Sequence, residues 1–175
     1  MHSKDLIAMS LYELLYKGIP LDKITVTSLC EKANVSRMSF YRSFNNVQDV
    51  IVTYCDDRFE EFFKIISEKM LTIEELLYEI FTFLRKYKRQ FVLLAQYNLQ
   101  TMLLDQLFYY VKYVSQKYSE QYELDIALSQ NKFLIPALTG ALYMVIIQWT
   151  RDNMSQSVDS VVEDVMDMFR HINIK

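Results

Sequence analysis

The stretch "TVTSLCEKANVSRMSFYRSF", Thr25 to Phe44, decides how the chain is read. Thr25 is placed to cap a short helix that runs to about Lys32. Ala33-Asn34-Val35 follows as a tight turn, and Asn accepts the left-handed backbone that such turns need. Ser36 can cap a further helix to about Ser43. Val26, Leu29, Cys30 and Ala33 give the first helix an inner face, and Val35, Phe40 and Phe44 do the same for the second. Two short helices joined by such a turn form a helix-turn-helix. The pattern alone also fits a small helical subdomain without a nucleic-acid partner.

The other side of the second helix shows Arg37, Met38, Tyr41 and Arg42, with Ser36 and Ser39 near its start. A helix lying in the major groove presents its N-terminal residues to base edges. Arg can grip guanine with two hydrogen bonds, and hydroxyls suit bases or phosphates. Tyr41 offers a hydroxyl on a rigid arm, suited to a phosphate oxygen. Thr27 lies in the first turn of the preceding helix, where that helix would cross the phosphate backbone.

Away from this stretch the chain is long, apolar and poor in turn formers. It has 175 residues, 51% of them hydrophobic, with Gly and Pro at two each. That composition supports a real core and favours long helices over a many-stranded sheet. Residues 1–48 hold six Lys/Arg against four Asp/Glu, a balance of +2, and the remainder holds thirteen against eighteen, a balance of −5. A mildly basic head on an acidic body points to a polyanionic partner for the head. Cys30 and Cys55 lack metal or redox spacing and read as buried thiols of a reducing cytoplasm; a redox sensor at Cys55 is the alternative. Asp5 and Glu13 interrupt the N-terminal apolar run, so no signal peptide is expected there. His2 and His171 stand alone, and no metal or cofactor is assigned.

Apolar spacing is helical almost throughout. Ile7, Leu11, Leu14, Leu15 and Gly18 mark a first helix from about Ser3 to Lys17. Asn46, with Asp49 three residues on, opens a long helix whose stripe reads Val47, Val50, Ile51, Tyr54, Cys55, Phe62, Ile65, Ile66. Thr72 and Glu75 form a capping box, and the helix they open breaks or bends near Lys88-Arg89-Gln90. A further helix covers about Leu99 to Tyr118, and Ser119 to Ile126 reads as a polar loop. Phe133 to Thr150 carries no charge over eighteen residues, the lower limit for a membrane span. Thr139, Gln148 and Thr150, and few basic residues at its ends, favour a helix buried on all sides, in a core or between subunits. Pro136 marks the start of this helix or kinks its first half. The last helix begins after Ser157 with Val158, Val161, Val162, Val165, Met168, Phe169 and Ile172 on one face. No Gly-rich phosphate loop, nucleophile with a paired base or clustered metal set is present, so no catalytic residue is named.

The run "LDKITVTSLCEKANVSRMSFYRSFNNVQDVI" closely resembles the DNA-binding head of the tetracycline-repressor (TetR/AcrR) family of bacterial transcription regulators. Ile24, Thr25, Val26, Leu29, Cys30, Ala33, Val35, Ser36, Ser39, Phe40, Tyr41 and Phe44 stand in the family's register, over about residues 5 to 60. The tail from Ala141 to Phe169 also looks like the family's last two helices, with Trp149 near the end of the first. Asn34 replaces the family's usual Gly, and Val47 a usual Lys that holds a phosphate; Gln48 could substitute in part.

The resemblance implies an all-α fold, with a helix-turn-helix head over residues 1–46 and a helical-bundle body for ligand binding and dimerisation over 47–175. It implies a cytoplasmic homodimer on a palindromic operator in double-stranded DNA, most often a repressor released by a small hydrophobic effector. The DNA-facing set is then Thr25, Thr27, Ser36, Arg37, Met38, Ser39, Tyr41 and Arg42. The dimer set is Leu142, Ile146, Val162, Met166 and Phe169. Body aromatics Phe62, Phe81, Phe91, Tyr97, Phe108 and Tyr143 are the candidates for an effector site, with Met102 and Tyr109 nearby in sequence. An aromatic stripe at helical spacing is more often plain core. Two alternatives stay open: a head that has lost DNA binding and leaves a ligand- or protein-binding module, and a monomer with the last helices folded inward.

Overall fold

The computed structural model describes residues 2–69, 71–97, 101–122 and 132–171. Every regular element among them is helical. They are α1 (Ser3–Tyr16), a short 3-10 turn (Leu21–Lys23), α2 (Val26–Ala33), α3 (Arg37–Tyr41), α4 (Val47–Ser67), α5 (Ile73–Lys86), α6 (Lys88–Gln96), α7 (Thr101–Tyr122), α8 (Leu134–Arg151) and α9 (Val158–His171). The chain divides into two compact units, Met1–Glu60 and Glu61–Lys175. The sequence reading draws this boundary between residues 46 and 47; the compact units divide within α4.

The first unit is a three-helix head closed by the start of α4. α1 packs on α2 and α3, and α2 on α3. Ile7, Leu11, Leu29, Phe40, Val50 and Ile51 are sealed from solvent and form its core. Gly18 ends α1 at φ +78, which lets Ile19 N–H reach the Leu14 carbonyl at 3.1 Å. Lys32 of α2 pairs with Glu13 of α1 at 2.7 Å. The opening of α4 belongs here because Cys55 is buried beside the Tyr12 hydroxyl at 4.0 Å, Tyr54 meets the Tyr12 ring edge-on, and Asp57 accepts a hydrogen bond from Lys4 at 2.8 Å. Asn46 caps α4 by accepting from Asp49 N–H at 2.9 Å. The Asp49 carboxylate in turn accepts from Asn45 N–H at 2.7 Å.

In the second unit α5 packs on α9, and α8 on α7 and α6. Thr72 and Glu75 form the expected capping box. The break after α5 falls at Tyr87, one residue before the expected stretch. Phe62 stacks on Phe83 at 4.5 Å, Phe83 meets Phe91 at 6.0 Å, and Phe81 stands edge-on to Trp149 at 5.3 Å. The α8–α9 turn is held from two sides, since Trp149 Nε1–H (3.1 Å) and the Arg85 guanidinium both donate to the Gln156 carbonyl. Asn153 and Met154 in that turn are left-handed, and Met154 is fully buried.

Three details differ from the sequence reading. Ile65 is 57% exposed, while Phe59 takes a buried place on the same helix. Cys55, Phe59, Phe62 and Ile66 lie four, three and four residues apart, so they share one stripe and Ile65 falls beside it. Helix α3 stops at Tyr41 rather than Ser43. Helix α7 continues through Tyr122, so Ser119–Tyr122 are helical; the rest of the expected loop lies outside the described residues. Within the single chain, helix α8 buries Thr139, Ile146, Ile147, Trp149 and Thr150 and leaves Ala137, Ala141, Met144 and Gln148 as an exposed stripe. Pro136 is its third residue, where its missing N–H removes no helical bond. No helix among the described residues is long and apolar enough to cross a membrane.

Candidate nucleic-acid interface

The site is built on two side-chain caps. Thr25 Oγ1 accepts from Ser28 N–H at 3.1 Å, and Ser28 Oγ accepts from Thr25 N–H at 3.1 Å, a reciprocal box that starts α2. Ser28 takes the place usually held by Glu or Gln, and a Ser/Thr-x-x-Ser spacing is the signal that could have named it. Asn34 then turns the chain at φ 53, ψ 48, with Val35 N–H bonded to the Cys30 carbonyl at 3.0 Å. Ser36 Oγ accepts from Ser39 N–H at 3.1 Å and starts α3. Phe40 and Phe44, with ring centres 5.5 Å apart, anchor α3 from behind.

With the inner side so fixed, Arg37, Met38, Tyr41 and Arg42 are left exposed on the outer one. Met38 and Arg42 lie one turn apart, with the Arg42 guanidinium 3.8 Å from the Met38 sulfur. The Tyr41 ring stands edge-on against buried Phe40 at 5.3 Å, which braces it. Thr27 is exposed in the first turn of α2. Thr25, Ser36 and Ser39 are committed locally: the first two cap their helices, and the Ser39 hydroxyl lies 3.0 Å from that of Ser36. Behind this surface, burial pushes the Cys30 thiol up, and the nearby Arg37 charge only partly offsets it. Cys55 is pushed up to about 12, chiefly by burial. Both thiols stay protonated at neutral pH, which makes them poor nucleophiles.

The body candidates separate into two groups. Phe62, Phe81 and Phe91 are buried in the aromatic core. Tyr97 and Tyr143 are half-buried, and Phe108 is exposed. One small notch, lined by Phe63, Ile66, Leu71, Leu76 and Tyr113 among others, holds about 10 Å³, room for a single water. Of the dimer candidates, Ile146 and Val162 are 1% and 4% exposed, because they sit on the faces that α8 and α9 turn to their own unit. Leu142 and Met166 are half-buried. The side chains of Phe169 and Met102, and Ile172 as a whole, lie outside the described residues.

Residues 71–171 match the family model TetR_C_8, described as the C-terminal region of a transcriptional regulator. The chain belongs to the TetR family of transcriptional regulators. Solved structures agree on the fold of this TetR-family chain. The crystal structure of Lin0861 from Listeria innocua superposes with a TM-score of 0.76 at 19% identity, covering 98% of this chain and 91% of that one. The solved structure of the fatty acid degradation regulator FadR from Bacillus halodurans gives a TM-score of 0.64 at 16% identity, covering 94% of this chain and 93% of that one. No curated protein matches the sequence.

Proposed function

We propose that this TetR-family regulator is a homodimeric, sequence-specific DNA-binding repressor of the cytoplasm, released by a small hydrophobic effector. The observation that carries the DNA half is the outward side of α3. Arg37, Met38, Tyr41 and Arg42 share it, unburied, on a helix pinned by Ser36 and Phe40. Two cations, a braced phenol and an apolar tip are side chains that suit the base edges and phosphates of a major groove. Thr27 supplies a phosphate contact from α2.

Dimerisation through α8 and α9 is supported by apolar side chains those helices leave uncovered, Met144 and Met168, flanked by Ala137 and Ala141. Two-fold symmetry then spaces the reading helices about 34–36 Å apart on a palindromic operator. The effector half rests on Tyr97, Phe108 and Tyr143, which keep accessible surface while Phe62, Phe81 and Phe91 are used up in packing.

The test is fluorescence anisotropy of the full chain with the duplex upstream of its own coding region, titrated with salt. Affinity that falls steeply with salt is expected, because phosphate contacts release counterions. Absent or salt-independent binding would instead favour a module that has lost DNA binding, a reading motivated by Val47 at the start of α4.

A further inference from the structure

Three of the outward residues of α3 are at home in water; Met38 is not. It is 68% exposed, the most uncovered large apolar side chain among the described residues. A single exposed Met is unremarkable by itself. This one lies in the first turn of α3, with Arg37 before it and the Arg42 guanidinium 3.8 Å from its sulfur. Helices docked in the major groove present side chains from that turn to base edges. The cap at Ser36 and the buried ring of Phe40 fix which way the turn faces.

A thioether is flexible and polarizable and forms only weak hydrogen bonds. Set against a polar base edge it would leave donors or acceptors unsatisfied. The major-groove edge of thymine alone among the four bases offers a methyl group. We infer that Met38 selects thymine in each operator half-site by packing on its 5-methyl group, beside base edges taken by the flanking arginines. The inference rests on the DNA-binding function proposed above and adds a specificity element to it. Removing one buried methyl should weaken binding about fourfold per half-site.

The experiment uses the full chain and a randomised duplex library. The enriched duplex is resynthesised with deoxyuridine replacing thymidine at one position at a time, and affinities are read by anisotropy. The expected result is one thymine per half-site where uracil costs wild type about fourfold. There Met38→Ala binds both bases alike and Met38→Leu keeps the preference, with thermal melting unchanged in both variants. Binding that tolerates uracil everywhere, or a uracil effect that persists in Met38→Ala, overturns the thymine contact while leaving DNA binding intact. Enrichment of no duplex overturns DNA binding and the inference with it.

Discussion

The head and the body hold their helices by different means. Helices α2 and α3 have eight and five residues, well under the length of about 12–15 at which isolated helices become marginal in water. They depend on Thr25 and Ser36 at their starts and on Phe40 and Phe44 behind them. The body helices α5, α7 and α8 run to fourteen, twenty-two and eighteen residues, and aromatic contacts such as Phe62–Phe83 and Phe81–Trp149 hold α5 to α4 and to α8. Local caps fix where α2 and α3 begin, and a whole side of α3 is left free. The body seals Phe62, Phe81 and Phe91 in its core and leaves Phe108 and Tyr109 exposed, so residues alike in sequence differ in what they can bind.

The largest expected effects fall on the two sealed rings. Phe40→Ala and Phe81→Ala should each cost about 3–5 kcal/mol of stability. Only Phe40→Ala should abolish DNA binding at a temperature where the body stays folded, which the single Trp149 reports by its emission. Equal loss of binding in both variants would break the contrast between head and body.

Next in size are the outward residues. Arg37→Ala and Tyr41→Phe should each weaken DNA binding by about 1–3 kcal/mol with no change in melting temperature. Unchanged affinity in both would remove the contact assignment.

A cap exchange sharpens the comparison further. Ser36→Ala and Thr72→Ala should each cost about 1 kcal/mol locally. The first cap starts a five-residue helix and should lower DNA affinity as well; the second starts a fourteen-residue helix and should not. Calorimetry with anisotropy on the same samples decides it.

The smallest effect is an acid limb. Lys32 holds the Glu13 carboxyl below its ordinary 4.5, and hydrogen bonds from Thr72 do the same for Glu75. A lowered folded pKa means that stability is present above 4.5 and lost as pH falls through the lower folded value. Glu13→Gln should therefore shrink the acid limb of the melting curve and change nothing near neutral pH. A Glu13→Gln melting curve that matches wild type below pH 4.5 would remove this pair from the account.

The head was the more legible half. The caps at Thr25, Ser36, Asn46 and Thr72 and the left-handed Asn34 all lie where the sequence places them. So do the buried Leu29, Cys30, Ala33, Phe40 and Phe44. The body was legible as helices but not as surfaces. Ile146 and Val162 each sit on an apolar helix face, and nothing within one helix says which neighbour covers it.

Sequence alone determined where the short helices begin and turn, because a cap acts on backbone groups only a few residues away. Tertiary structure alone decided which aromatics are sealed and that the Gln156 carbonyl draws Arg85 and Trp149 together. Those outcomes depend on which residues other helices, distant in sequence, bring against each face, and burial is settled only when they arrive.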